Sequence, residues 1–76
     1  MVMVGEKMKD IMVCVNGAKR EVPKGTTLDG LIELFQLKKK SIVLELNRKV
    51  VDRSALSATQ LKENDIIEIV HFVGGG

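Results

Sequence analysis

Residues 11–22 read IMVCVNGAKREV, and this stretch sets the first constraint on the fold of the 76-residue chain. Its first half is dominated by β-branched residues and ends at Asn16-Gly17. An Asn-Gly pair between two extended segments favours a two-residue hairpin turn, because both residues tolerate positive φ. The pattern therefore predicts a pair of antiparallel strands, residues 11–15 and residues 19–22.

Beyond this hairpin the hydrophobic period changes from two to nearly four. Apolar residues fall at i, i+3, i+4 and i+7, and they are Leu28, Leu31, Ile32 and Phe35. Such a stripe is typical of an amphipathic helix. A threonine hydroxyl at position 26 or 27 can accept an unpaired backbone N–H of its first turn. We expect one main helix in this region.

Alternation returns in the second half of the chain. The segments that carry it are residues 42–47, Val50-Val51 and residues 66–73. A helix between two hairpin-like units predicts an α+β architecture. Its mixed sheet has four to five strands, the helix packs on one face, and the first and last strands are parallel neighbours through the helix crossover. That arrangement is the β-grasp, or ubiquitin-like, fold.

Length and composition favour one small domain without a catalytic centre. A chain of this size buries only about 60% of the surface that its unfolded form exposes, so a deep cleft is hard to build. His71 and Cys14 are the single histidine and cysteine, too few for a metal site made of those types. We interpret His71 as a solvent-facing strand residue and Cys14 as a small hydrophobe of the sheet. The chain is therefore expected to be neither an enzyme nor a metal or cofactor binder.

Several absences bear on location. No apolar run approaches the ~20 residues that span a bilayer, and residues 1–10 are too polar for a signal peptide. The basic residues 38–40 have no interleaved aromatic side chains, which disfavours nucleic-acid binding. We expect a cytoplasmic protein that binds neither membranes nor nucleic acid.

The C-terminal glycines are the remaining candidate for function. We divide the chain into an N-terminal extension (residues 1–10), a β-grasp domain (residues 11–73) and a flexible tail formed by Gly74, Gly75 and Gly76. Three extended residues reach about 10 Å, and without side chains they form a probe that can enter a narrow active site. If Ile67 and Ile69 face the helix, alternation turns Val70 and Phe72 outwards as candidate partner-binding residues.

These segments together resemble the ThiS-type sulfur carriers of thiamine biosynthesis. The resemblance rests on Val15-Asn16-Gly17, on Thr27-Leu28 with Leu31-Ile32 and Leu34, on Leu44-Glu45-Leu46-Asn47 with Val50-Val51 and Arg53, and on residues 65–70 followed by Val73-Gly74-Gly75-Gly76. It covers nearly everything from residue 11 to residue 76. Asn64, where a glycine is common, and Asp52, where a proline is frequent, depart from the pattern.

The resemblance implies a mechanism in which this chain carries a group and its partners catalyse. A ThiF-type adenylating enzyme would use ATP to activate the Gly76 carboxylate. A persulfide sulfur donor would then displace AMP and leave a thiocarboxylate, which a ThiG-type thiazole synthase would use to build the thiazole ring. The working residue would be Gly76, with Gly74 and Gly75 as the slim tail.

Three alternatives stay open. The chain could carry sulfur for molybdopterin or cysteine synthesis, although His71-Phe72-Val73 stands where molybdopterin subunits tend to have Pro-Pro-Val. It could be a ubiquitin-like protein modifier, with Gly76 joined to a lysine of a target. From another class, it could be an interaction domain whose glycines are inert.

Overall fold

The computed structural model describes residues 9–72. Residues 1–8 of the predicted extension and Gly74, Gly75 and Gly76 of the predicted tail lie outside the described residues. The elements are β1 (Asp10–Val15), β2 (Ala18–Pro23), α1 (Leu28–Leu34), a 3-10 turn (Lys39–Ser41), β3 (Ile42–Leu46), β4 (Lys49–Val50), a second 3-10 turn (Arg53–Ala55) and β5 (Ile66–His71).

The five strands form one mixed sheet in the order β2-β1-β5-β3-β4. The central contact between β1 and β5 is parallel, and the other neighbours are antiparallel. Helix α1 lies on the crossover between the two halves of the sheet, which is how a parallel pair is normally connected. The α+β β-grasp architecture predicted from the sequence is confirmed.

The first hairpin forms where the Asn-Gly pair predicts it. Asn16 and Gly17 have φ values of 50° and 85°, and Val15 pairs with Ala18 across them. Two consecutive positive φ angles match the right-handed twist of the flanking strands. The hairpin register therefore follows from two adjacent residues.

Helix α1 begins at a threonine cap, as expected. Thr27 has an extended backbone, and its Oγ1 accepts the Gly30 N–H at 3.0 Å. The helix buries Leu28, Leu31 and Ile32 against the sheet, while Phe35 lies at its C-cap and packs partly buried against the core. Burial of the apolar stripe, and not the intrinsic propensity of seven residues, must hold so short a helix.

The sheet has a buried inner face and an outer face without a second layer in the described part of the chain. The inner face packs against α1 and the loop before β5; its buried residues are Ile11, Val13, Val15, Val22, Ile42, Leu44, Ile67 and Ile69, and Leu28, Leu31, Ile32, Leu56 and Leu61 complete the core. We call outer face the set Met12, Cys14, Val43, Glu45, Val50, Ile66, Glu68 and Val70 of β1, β3, β4 and β5. The strand registers place Lys19 and Glu21 of the edge strand β2 on the same side of the sheet.

Arg53 fixes the segment that leads into β3. Its guanidinium donates to the carbonyl oxygens of Lys39 and Lys40, at 2.5 and 3.4 Å, and of Ile42, at 3.5 Å. A planar guanidinium can satisfy several acceptors at once because its five donors have a fixed geometry. Arg53 thereby holds the chain around Ser41, which contacts the end of β5.

Candidate functional site

The predicted partner-binding residues lie at the end of the central strand. Val70 is 53% exposed and Phe72 is 40% exposed, while Ile67 and Ile69, which precede Val70 on the strand, are buried. The alternation predicted for this strand is confirmed. The part that Val70 and Phe72 play in partner binding stays a prediction, as does the role of Gly76, which lies outside the described residues.

The last described residues of β5 are held from the β3 side. Val70 pairs with Val43, and the Phe72 N–H donates to the Ser41 carbonyl at 3.1 Å. Phe72 is thus tied to the sheet one residue after β5 ends. The point from which the predicted tail continues is fixed by backbone hydrogen bonds on this edge.

The outer face carries many apolar side chains, and no second layer covers it within residues 9–72. Four of its residues are exposed hydrophobes, namely Val43, Val50, Ile66 and Val70. Phe72, also exposed, lies two residues after Val70 and so continues the same side of the strand. Met12 and Cys14 add half-buried apolar surface on β1. Antiparallel sheets normally turn polar residues to water, and a contiguous apolar patch on a small protein indicates a contact surface.

Two carboxylates face each other within this apolar surface. Glu45 of β3 and Glu68 of β5 are direct partners in the antiparallel register. Residues directly opposite in such a pair have Cβ atoms about 4.5–5.5 Å apart, and like charges there are destabilising. From the sequence alone Glu68 is read as an ordinary rim charge, since the pairing is visible only once the register of distant strands is known.

We expect Glu68→Gln to stabilise the free protein, by about 0.2–1 kcal/mol, because it removes one charge of the opposed pair. Chemical unfolding at low salt measures this change, and the gain should shrink as salt screens the charges. Glu21→Gln is the matched control, because Glu21 also lies on a strand but pairs with Met12. An equal gain in both variants would show that the pair has no special repulsion.

A groove of about 300 Å³ lies on the inner side of the same strand end. Its lining residues are Val15, Asn16, Ala18, Arg20, Phe35, Leu37, Ile69 and His71. The Arg20 guanidinium lies 5.2 Å from the centroid of the Phe35 ring, within cation–π range. His71 is exposed, as expected from the sequence. The end of β5 therefore separates this groove, which carries Arg20, from the apolar outer face.

Other kinds of site find little support within residues 9–72. No three His, Cys, Asp or Glu side chains of this part come together as metal ligands. Among the helices described there, none is long and apolar enough to cross a membrane. Cys14 is half-buried on β1.

The parallel β1–β5 contact, the capped helix on one face and the apolar outer face define a ubiquitin-like β-grasp protein. A family model described as the ThiS family matches residues 8–76. The chain belongs to the ThiS family.

Curated relatives fall into two groups. The sulfur carrier protein ThiS of Bacillus subtilis is 36% identical over 66 residues, which are 86% of this chain and 100% of that protein. A thiazole synthase of Magnetococcus marinus is 40% identical over 62 residues, which are 82% of this chain and 19% of the enzyme. The chain thus spans a whole carrier and only a small part of the synthases that it matches.

Solved structures agree with the family. The crystal structure of a thiamine biosynthesis protein (ThiS) from Geobacter metallireducens superposes with a TM-score of 0.76 at 29% identity, covering 87% of this chain and 100% of that chain. A solution structure of a thiamine biosynthesis protein from Geobacter metallireducens gives a TM-score of 0.73 at 29% identity, covering 87% of this chain and 88% of that chain.

Proposed function

We propose that this chain is a cytoplasmic sulfur carrier of thiamine biosynthesis and that it carries sulfur as a thiocarboxylate on Gly76. The observation that carries the proposal is the family match, which extends through residues 74–76 and so includes the predicted glycine tail. The similarity to a carrier over that carrier's entire length supports it.

The chemistry requires activation, because a carboxylate is a poor electrophile. The Gly76 carboxylate attacks the α-phosphorus of ATP on an adenylating enzyme and forms an acyl adenylate with loss of pyrophosphate. A persulfide sulfur then attacks the acyl carbon and AMP leaves. The product is an acyl disulfide that keeps the sulfur–sulfur bond of the persulfide. A thiol attacks the donor-side sulfur of this bond, forms a disulfide with the donor and releases the terminus as a thiocarboxylate. Every step is catalysed by partners, so this chain needs a reachable terminus and a surface to dock.

Tail and outer face have complementary tasks in this proposal. Ordering three glycines in a partner's active site costs about 1–2 kcal/mol for each residue or more. Docking of an apolar surface offsets such a cost, at roughly 25 cal/mol for each Å² buried. We assign that docking to the outer face with Val70 and to the adjacent Phe72, both exposed beside the end of β5.

We propose a thiazole synthase as the acceptor of the sulfur. Two synthases, from Magnetococcus marinus and Paramagnetospirillum magneticum, contain a segment similar to this chain, at 40% and 27% identity over 62 residues. When a carrier-like segment and a synthase are joined in one chain, the effective concentration of the carrier at the synthase rises. Such a fusion is consistent with two parts that bind each other. A ThiF-type enzyme and a persulfide donor complete the proposed set of partners.

The proposal is tested by intact-protein mass spectrometry after incubation with ATP, the adenylating enzyme of the same organism and a persulfide donor. We expect a mass gain equal to one exchange of oxygen for sulfur. Deletion of Gly75 and Gly76 should abolish the gain completely, because the reactive carboxylate is then displaced from the partner's active site. Gly76→Ala keeps the length of the tail and should slow the reaction without abolishing it.

The acceptor is tested separately, by offering the thiocarboxylate form to thiazole synthase and to protein lysines. Sulfur transfer to the synthase supports the thiamine pathway. An isopeptide bond to lysine would instead indicate a protein modifier, and a wild-type chain that gains no sulfur would contradict the carrier role.

A further inference from the structure

Strand β5 extends beyond the end of β1, the strand that pairs with it in parallel. On the β1 side, the Cys14 N–H donates to the Asp65 carbonyl and the Asn16 N–H to the Ile67 carbonyl, both at 2.9 Å. Strand β1 then ends at Val15 and the chain turns away into the hairpin. The next backbone groups on this edge of β5 belong to Ile69, which no residue of β1 pairs with.

The side chain of Asn16 takes the place of the missing strand residue. Its Oδ1 accepts the Ile69 N–H at 2.7 Å, and its Nδ2 donates to the Ile69 carbonyl at 3.2 Å. One carboxamide thus satisfies both backbone groups of a strand residue, as a neighbouring strand would. This pairing depends on the left-handed backbone of Asn16, with φ of 50° in the hairpin turn.

These bonds hold β5 close to the predicted tail. On one edge the Asn16 side chain binds Ile69, and on the other edge the Ser41 carbonyl binds the Phe72 N–H. Together these bonds hold both edges of the chain between Ile69 and Phe72, the last described residue. Gly74 follows Phe72 by two residues. The last described residues before the predicted tail are therefore held between Asn16 and Ser41.

A second asparagine makes a similar contact at the opposite end of the strand. Asn47 has φ of 51°, and its Oδ1 accepts the Ile66 N–H at 2.9 Å. Its Nδ2 binds the Asp65 carboxylate at 3.1 Å and makes no bond to β5. Asn47 thus anchors the beginning of β5, whereas Asn16 anchors the end that leads to the tail.

We propose that Asn16 is a positioning residue for the reactive terminus, an inference that rests on the proposed carrier function. Its carboxamide narrows the directions in which the chain leaves β5 relative to the outer face. A docked carrier then presents its terminus to the partner's active site in a large share of the complexes. Without the carboxamide, the body docks equally well and fewer docked complexes have the carboxylate in place.

The test compares Asn16→Gly with Asn47→Gly in the full chain. Glycine accepts the left-handed φ at both positions, so each variant removes the side-chain bonds while keeping the turn. Hydrogen exchange at the Ile69 and Ile66 amides reports the loss of each bond. The rate of adenylation at saturating carrier, measured with the adenylating enzyme and ATP, reports the presentation of the terminus.

We expect Asn16→Gly to lower the saturated rate of adenylation about tenfold, the scale of one to two lost hydrogen bonds. Asn47→Gly should stay within about twofold of the wild type, although it also frees a β5 amide. Versions of all three chains lacking Gly75 and Gly76 should bind the adenylating enzyme with equal affinity, because the outer face is intact in each.

Two results would overturn the positioning role. One is an equal adenylation rate for the two variants after exchange has confirmed the loss of both bonds. The other is a loss of affinity in the truncated Asn16→Gly chain that accounts for its entire rate defect, since the effect would then lie in docking. If the wild-type chain itself is not adenylated, the proposed function fails and this role fails with it, and that result is distinct from a defect confined to Asn16→Gly.

Discussion

Val70→Lys is expected to weaken the complex with the adenylating enzyme at least about 30-fold, the scale of a hot-spot residue at a protein interface. Val70 lies near the end of the central strand on the apolar outer face, 53% exposed and opposite Val43. A docked partner would have to accommodate the longer lysine side chain and remove water from its ammonium, and desolvation of a charge is strongly unfavourable. Isothermal titration calorimetry with the enzyme measures the change.

The fold should tolerate this substitution. Lysine at position 70 lies on the same face as Glu68, two residues away on one strand, and its charge reduces the repulsion between Glu68 and Glu45. Leu34→Lys is the matched control, because Leu34 is 55% exposed but lies on helix α1, across the core from the outer face. Equal losses of affinity in the two variants would contradict the outer face as the docking surface.

The carboxylate pair gives the same surface a second property. Glu45 and Glu68 place two negative charges among exposed apolar side chains. If two copies met through this face, four carboxylates would approach one another in a region losing its water, which costs free energy. A partner with a basic side chain at that point escapes this penalty. The pair thus disfavours self-association of a surface that is otherwise apolar.

Most of the fold follows from local patterns. The Asn-Gly pair predicts the hairpin, the i, i+3, i+4, i+7 stripe predicts α1, and alternation in residues 66–71 predicts that Val70 is exposed while Ile67 is buried; all of these are confirmed. Each of these signals lies within a few adjacent residues. Sequence is sufficient wherever period and turn chemistry decide the structure.

What the sequence did not predict involves residues that are far apart along the chain. The opposition of Glu45 and Glu68 depends on the register between β3 and β5. The contact of Asn16 with Ile69 joins residues 53 positions apart, and from the sequence Asn16 is read only as a turn residue. The sequence shows the two glutamates and the turn asparagine, but it does not show which residues they contact. Those contacts can be assigned only when the strand order and register are known.

Ile67→Ala is expected to lower the free energy of unfolding by about 2–5 kcal/mol, as for other large-to-small changes in protein cores. Ile67 is fully buried, with 0% exposure, on the central strand between Val15 of β1 and Leu46 of β3. The loss is a large share of the about 5–15 kcal/mol that stabilises an ordinary domain, and this core is small because the chain is short. Urea unfolding followed by circular dichroism measures it.

The neighbouring Ile66→Ala makes the same chemical change on the other side of the sheet and separates stability from docking. Ile66 is 48% exposed on the outer face, so its truncation removes little buried surface and should cost less than about 1 kcal/mol of unfolding free energy. It should instead weaken binding of the adenylating enzyme, whereas Ile67→Ala should bind normally at a temperature where it is folded. We expect this opposite pattern, with stability lost in one variant and binding lost in the other, if the inner face stabilises the fold and the outer face binds the partner. If both variants lose stability equally and bind equally, then the division between an inner structural face and an outer docking face is wrong.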